Sequence, residues 1–282
     1  MIYRTLGGTK EKIPVIGQGT FKFGEDKGQA KREIEALRFG IENGMTLIDT
    51  AEGYADGGAE RIVGEAISDV RKDVFLVTKV LRKNCTYEGI LQSAEASLKR
   101  LNTTYIDLYL QHWPNPDIPL EETMRGFTEL LRTGMARHIG VSNFSPELLQ
   151  EAQSYLGDHK IVCNQIGYHL NDRTIELSLV PYCTEHNVTI MGYSPFGYAP
   201  QLFGNKGFPE QGTKERKILD AIACKYGKTA YQVALNWILR LPGLVTIPKA
   251  SSLSHMKENL QALGWELDAE DVALIEAAFP VK

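Results

Sequence analysis

The chain has 282 residues, 43% of them hydrophobic, and a formal net charge of -4. That is apolar material for one large α/β domain or two ordinary ones, and the scattered Lys and Arg build no positive field for nucleic acid. Cys85, Cys163, Cys183 and Cys224 lack zinc-ligand spacing, no apolar run approaches the roughly 18 residues of a membrane span, and "MIYRTLGGTKEKIPV" lacks a signal peptide's apolar core; the expectation is a cytoplasmic protein in a reducing compartment.

In chain order, "MIYRTLGGTKEKIP" opens with Gly7-Gly8 between two short extended runs and predicts a hairpin closing the base of the fold. Eight β-branched or aromatic runs then recur: "PVIGQGT" from 14, "MTLIDT" from 45, "DVFLVTKV" from 73, "YIDLYLQH" from 105, "ARHIGVSN" from 136, "IVCNQIGY" from 161, "VTIMGYSP" from 188 and "LVTIPKA" from 244. Most are apolar on both parities, as parallel strands covered on both faces must be. Helical patterns separate them. Ile34, Leu37 and Ile41 mark one face before an Asn43-Gly44 stop, and Ile62, Val63, Ala66, Ile67 and Val70 mark another. Ser145-Pro146 reads as an N-cap followed by proline in the first turn, and "TAYQVALNWILRL" leads towards the last strand. "FGYAPQLFGNKGFPEQG", after the seventh strand, predicts a long mobile loop ahead of two helices. Strand and helix alternating eight times predict an α/β fold of the (β/α)₈ TIM barrel type, with 1–282 as one domain.

In such barrels the reactive groups lie at the C-terminal strand ends. Asp49 ends the second barrel strand with Tyr54 just beyond, Lys79 ends the third and His112 the fourth. A lysine ammonium near a phenol stabilises its phenolate and is expected to lower the pKa of Tyr54, with Asp49 holding Lys79 in place. A neutral His112 can donate one hydrogen bond to a carbonyl oxygen, so these groups are suited to reducing a carbonyl. Alone, each residue has a structural reading: Asp49 as a turn cap, Lys79 as a solvated strand end, His112 as a satisfied core histidine. Four such coincidences in order at strand ends favour chemistry. "YADGG", from Tyr54 to Gly58, reads as a turn whose glycines permit close backbone approach.

With these residues, "GQGTFKFG", "LYLQHWP", "GVSNF", "NQI", "GYSPFG" and "IPKASSLSHMKEN", in register with the strands, make the whole chain resemble the aldo-keto reductases. The resemblance implies a catalytic tetrad of Asp49, Tyr54, Lys79 and His112 and an extended nicotinamide dinucleotide across the barrel mouth, in keeping with the absence of GxGxxG ahead of a helix. By the same resemblance, Ser142, Asn143 and Gln165 contact the carboxamide and Tyr193 stacks on the nicotinamide. Ser194, Phe196 and Gly197 follow the pyrophosphate, with Gly19, Thr20 and Lys22 closing from the first strand. Lys249, Ser251, Ser252 and His255 meet the 2'-phosphate, and Glu258 and Asn259 meet the adenine. Phe21, Trp113 and Phe196 would line a substrate pocket with Tyr54 and His112. Lys249, Ser251 and Ser252 make NADP(H) the expected cofactor, and NAD(H) is possible because His255 stands where the family places an arginine and Ala250 where it places a serine. The partner is a small-molecule carbonyl substrate, with no metal, nucleic acid, membrane or obligate protein partner; nothing requires more than a monomer. The alternative function is a non-catalytic dinucleotide-binding, redox-sensing subunit, against which the intact tetrad argues.

Overall fold

The computed structural model describes residues 1–197 and 207–281. Two short strands, β1 (Tyr3–Thr5) and β2 (Lys12–Pro14), pair antiparallel as the expected hairpin. Eight parallel strands follow: β3 (Gln18–Gly19), β4 (Leu47–Asp49), β5 (Phe75–Val80), β6 (Ile106–Gln111), β7 (Ala136–Ser142), β8 (Ile161–Gly167), β9 (Thr189–Tyr193) and β10 (Leu244–Thr246). Each lies beside its neighbours in chain order, and parallel bridges Ile16 to Thr246 and Gly19 to Lys249 bring the two edges together as a barrel. Helices flank the strands, beginning with Ala30–Glu42, Gly58–Ala66, Tyr87–Leu101 and Leu120–Thr133.

Strand parity divides the apolar residues between two cores. Leu47, Phe75, Val77, Leu108, Leu110, Cys163, Met191, Val245 and Ile247 point inward and pack together with Leu6 and Ile13 of the hairpin, which plugs the base. Residues of the other parity, such as Ile48 and Leu76, pack outward against helices. Arg4 pins the hairpin there, donating to the carbonyls of Leu239, Leu241 and Leu244.

The run from Pro14 yields only the two-residue β3, because Val15 and Ile16 already meet the last strand across the closure. The helix Gly58–Ala66 stops before the expected Val70, with Ile67 and Val70 packing onto the core from the turn beyond its end. Ser145 caps the helix Pro146–Ser154, its side chain accepting from Leu148 N. Part of the expected loop after the seventh strand, 198–206, lies outside the described residues. Two helices, Lys214–Tyr226 and Ala230–Ile238, come after it.

Candidate active site

The inward parity that fills the lower barrel with apolar side chains continues upward into polar ones. Leu47 is followed two residues on by Asp49, Val77 by Lys79, Leu110 by His112, Cys163 by Gln165 and Met191 by Tyr193. Lys79 is wholly buried. Its Nζ donates to Asp49 Oδ2 at 2.8 Å, to the Thr50 carbonyl at 2.7 Å and to the Tyr54 hydroxyl at 3.3 Å, using its three protons. Gln165 Nε2 donates to the other Asp49 oxygen at 2.7 Å, so both carboxylate oxygens are occupied. Tyr54 lies edge-on to the His112 ring at 5.7 Å between centroids.

Burial by itself would strip the Lys79 proton, but Asp49 and the Tyr54 oxygen outweigh it and the net direction is upward. Burial also raises the Asp49 carboxyl, against the opposing pull of Lys79 and Gln165. For Tyr54 the structure corrects the expectation. Burial pushes the phenol above its ordinary value of 10.0; Lys79 pulls it down but does not prevail, and Asp49 adds to the rise. Tyr54 therefore carries its proton at neutral pH. Burial, aided by the charge of Lys79, lowers His112 to about 3, so the imidazole is neutral, and its buried Nδ1 has no partner among the described residues.

Around this core lies the rest of the expected site. Thr20 is buried, with its hydroxyl on the Asp49 carbonyl at 2.9 Å. Gly19 sits at the barrel closure, its N–H donating to the Pro248 carbonyl. Asn143 donates from Nδ2 to the His112 carbonyl at 3.1 Å and to Ser142 Oγ at 3.0 Å, and accepts from the Tyr193 hydroxyl at 2.8 Å. Lys22, Ala55, Asp56, Asn143 and Ser194 all take positive φ in loops after strand ends, a concentration of backbone strain around the mouth. Gly197, also at positive φ, donates to the Ser194 carbonyl.

Farther out, Lys249 Nζ meets Ser251 Oγ at 3.0 Å, and Ser252 caps the helix Leu253–Leu260 by accepting from His255 N. His255 is exposed. Glu258 accepts from the Thr229 hydroxyl, while Asn259 is buried with an Nδ2 that has no partner among the described residues. Phe21 is 51% exposed and lies edge-on to Tyr54 at 5.3 Å, and Trp113 is half-buried after His112. Phe196 instead joins Phe208 and Tyr231 in an aromatic cluster, at 5.9 and 5.1 Å.

Sequence reading missed the Gln165 to Asp49 bond and the Thr50 carbonyl on Lys79. The first joins residues 116 apart, and the second is a backbone group that no side-chain pattern reports. A cleft of about 540 Å³ lies at the opposite rim among Arg137, His138, His159 and His186 and contains none of the strand-end groups. Among the described residues, no helix is long and apolar enough to cross a membrane.

A barrel whose C-terminal rim holds a protonated phenol beside a lysine ammonium and a neutral imidazole defines a class: oxidoreductases acting on carbonyl groups. Comparison with known proteins narrows it. The model of the Aldo/keto reductase family matches residues 15–279. Methylglyoxal reductase YeaE of Escherichia coli (strain K12) is 41% identical over 268 residues, covering 95% of this chain and 92% of the relative. A solved aldo-keto reductase from Klebsiella pneumoniae in complex with NADPH has a TM-score of 0.89 at 38% identity, over 100% of this chain and 97% of that one. A thermostable aldo-keto reductase solved with the inhibitor epalrestat reaches a TM-score of 0.90 at 41% identity, over 99% and 100%. The chain belongs to the aldo/keto reductase family.

Proposed function

We propose that this protein reduces aldehyde or ketone carbonyls with NADPH and that Tyr54 is the proton donor. The carrying observation is Lys79 Nζ held between Asp49, Thr50 and the Tyr54 hydroxyl. A nascent alkoxide is a far stronger base than a phenolate, so even a phenol with a raised pKa delivers its proton. Lys79 then faces the phenolate as it forms, at the moment when a buried cation is worth most. Asp49 keeps that cation charged and in place, and Gln165 keeps Asp49 oriented. His112, neutral across the physiological range, orients the carbonyl oxygen without competing for the proton. NADPH, when bound, supplies the hydride.

The residues fit the cofactor. Asn259 Nδ2, without a partner among the described residues, is a donor suited to the adenine, with Glu258 beside it in sequence. Ser142, Asn143 and Gln165 offer polar atoms for the carboxamide, with the ring of Tyr193 for the nicotinamide. Gly19, Thr20, Lys22, Ser194, Phe196 and Gly197 would border the pyrophosphate, and Lys249, Ser251, Ser252 and His255 would meet the 2'-phosphate. Phe21 and Trp113 would wall the substrate. The relative's name makes methylglyoxal the first substrate to test, within a panel of small aldehydes and ketones.

Cofactor choice follows from His255. A histidine ring presents single nitrogens to a phosphate, where an arginine offers a planar, permanently charged fork. NADPH is the favoured cofactor, with weak discrimination against NADH. Titration of both cofactors into wild type and His255→Arg tests this. The variant is expected to bind NADPH about 10- to 100-fold more tightly, through a charge-assisted bond worth about 1.5–3 kcal/mol, and NADH unchanged. Equal responses to the two cofactors would contradict the placement of His255. NADPH oxidation against the carbonyl panel tests the activity itself; tight binding without turnover on any carbonyl would contradict it.

A further inference from the structure

The turn that carries Tyr54 is held in a costly shape. Ala55 (φ 49, ψ 41) and Asp56 (φ 48, ψ 49) are both left-handed, and Gly57 comes next at φ 78. A non-glycine residue in that region is strained and persists only where its surroundings leave no alternative. Here the surroundings press from two sides. On one, the Gly24 backbone abuts Gly58, so that a methyl group on Gly24 would lie 2.7 Å from the Gly58 carbonyl carbon. On the other, Arg100, at the end of the helix Tyr87–Leu101, lies against Gly57. A methyl group there would sit 2.4 Å from Arg100 Cδ and 2.6 Å from Nε.

Arg100 is itself fixed. Its Nε donates to Glu60 Oε2 at 2.5 Å and one terminal nitrogen donates to Ser97 Oγ at 3.1 Å. Glu60, in the first turn of the helix Gly58–Ala66, is wholly buried, and its other oxygen accepts from Thr78 Oγ1 at 2.6 Å. Thr78 is the outward-facing neighbour of Lys79 on β5. The chain of contacts therefore runs from the turn after Tyr54, through Arg100 and Glu60, to the strand that carries Lys79. The two groups whose oxygen and nitrogen meet at 3.3 Å in the mouth are also fastened to each other from behind.

We propose that Arg100, acting through Glu60 and Thr78, is a positioning residue that clamps the Tyr54 turn and sets the distance between the phenol and Lys79. The proposal rests on Tyr54 being the proton donor. An aliphatic or shorter side chain at 100 would still cover Gly57 in part, but it would lose the planar group that both packs on Gly57 and grips Glu60.

Two variants test it. Arg100→Met combined with Glu60→Gln removes the clamp without leaving a lone buried carboxylate, and Arg100→Lys keeps the charge without the plane. The readouts are kcat and KM for methylglyoxal, NADPH affinity, and hydrogen exchange of the 54–58 amides in the cofactor-free protein. The double variant is expected to lose about tenfold or more in kcat, with KM and NADPH affinity within about twofold. Exchange at 54–58 is expected to quicken selectively, and Arg100→Lys to fall between. A double variant with wild-type kcat and unchanged exchange would overturn the clamp, as would a loss of melting temperature alone, with kcat retained below it. Should the double variant not fold, wild-type kcat and exchange in Arg100→Lys would overturn it equally. Failure of Tyr54 as the proton donor looks different: wild type and Tyr54→Phe would turn over alike, while the exchange measurement would still decide whether Arg100 holds the turn.

Discussion

At the scale of single residues, the site works by opposing burial with pairing. Lys79 is wholly buried yet keeps its proton, because Asp49 at 2.8 Å and the Tyr54 oxygen together outweigh the cost of desolvation. His112 has no such partner and yields to burial, falling from 6.5 to about 3. The unfolded chain binds that proton between these two values and the folded chain does not, so stability rises with pH across the window and is lost as pH falls below 6.5. Urea unfolding from pH 7 to pH 4 is expected to show wild type losing up to about 1.4 kcal/mol per pH unit more than His112→Gln. Identical slopes would mean that His112 is not held neutral. The residue types were legible in the sequence, since an acid, a lysine and a histidine at successive strand ends have few packing reasons to be there. The balance among them was not. Whether burial or Lys79 prevails at Tyr54 depends on depth in the mouth, which spacing along the chain does not encode.

At the scale of elements, local signals were reliable wherever a side chain acts on its own backbone. Ser145 before Pro146 announced a helix start and caps one. Ser145→Ala is expected to cost about 1 kcal/mol in chemical denaturation and to leave kcat unchanged, because the cap lies beyond the groups that meet in the mouth. A drop in kcat with unchanged stability would contradict that separation. Tertiary contacts governed the ends that the sequence misplaced. Ile67 and Val70 look helical in spacing, but reach the core from a turn, and β3 is short because its neighbours serve the barrel closure. Strands apolar on both parities concealed which residues face inward. Only the structure separates Val77 and Lys79, aimed into the barrel, from Thr78, aimed at Glu60.

At the scale of the whole molecule, eight alternations of strand and helix and an opening hairpin were enough to specify a plugged barrel. Arg4 on three backbone carbonyls was not legible, because its acceptors lie more than 230 residues away. The architecture makes the chemistry follow from position: inward side chains are apolar through the lower layers and polar at the rim, so one parity rule places Asp49, Lys79, His112, Gln165 and Tyr193 together. That arrangement has meaning only if Tyr54 gives up its proton there. The most direct measurement is kcat for carbonyl reduction by wild type and Tyr54→Phe across neutral and alkaline pH, with NADPH affinity measured alongside. Tyr54→Phe is expected to bind NADPH normally and to lose about 10²–10⁴-fold in kcat, while the wild-type rate stays flat through neutrality and falls only above the ordinary tyrosine range. Equal rates in the two proteins, or a wild-type rate that tracks a group titrating near pH 7, would contradict the account.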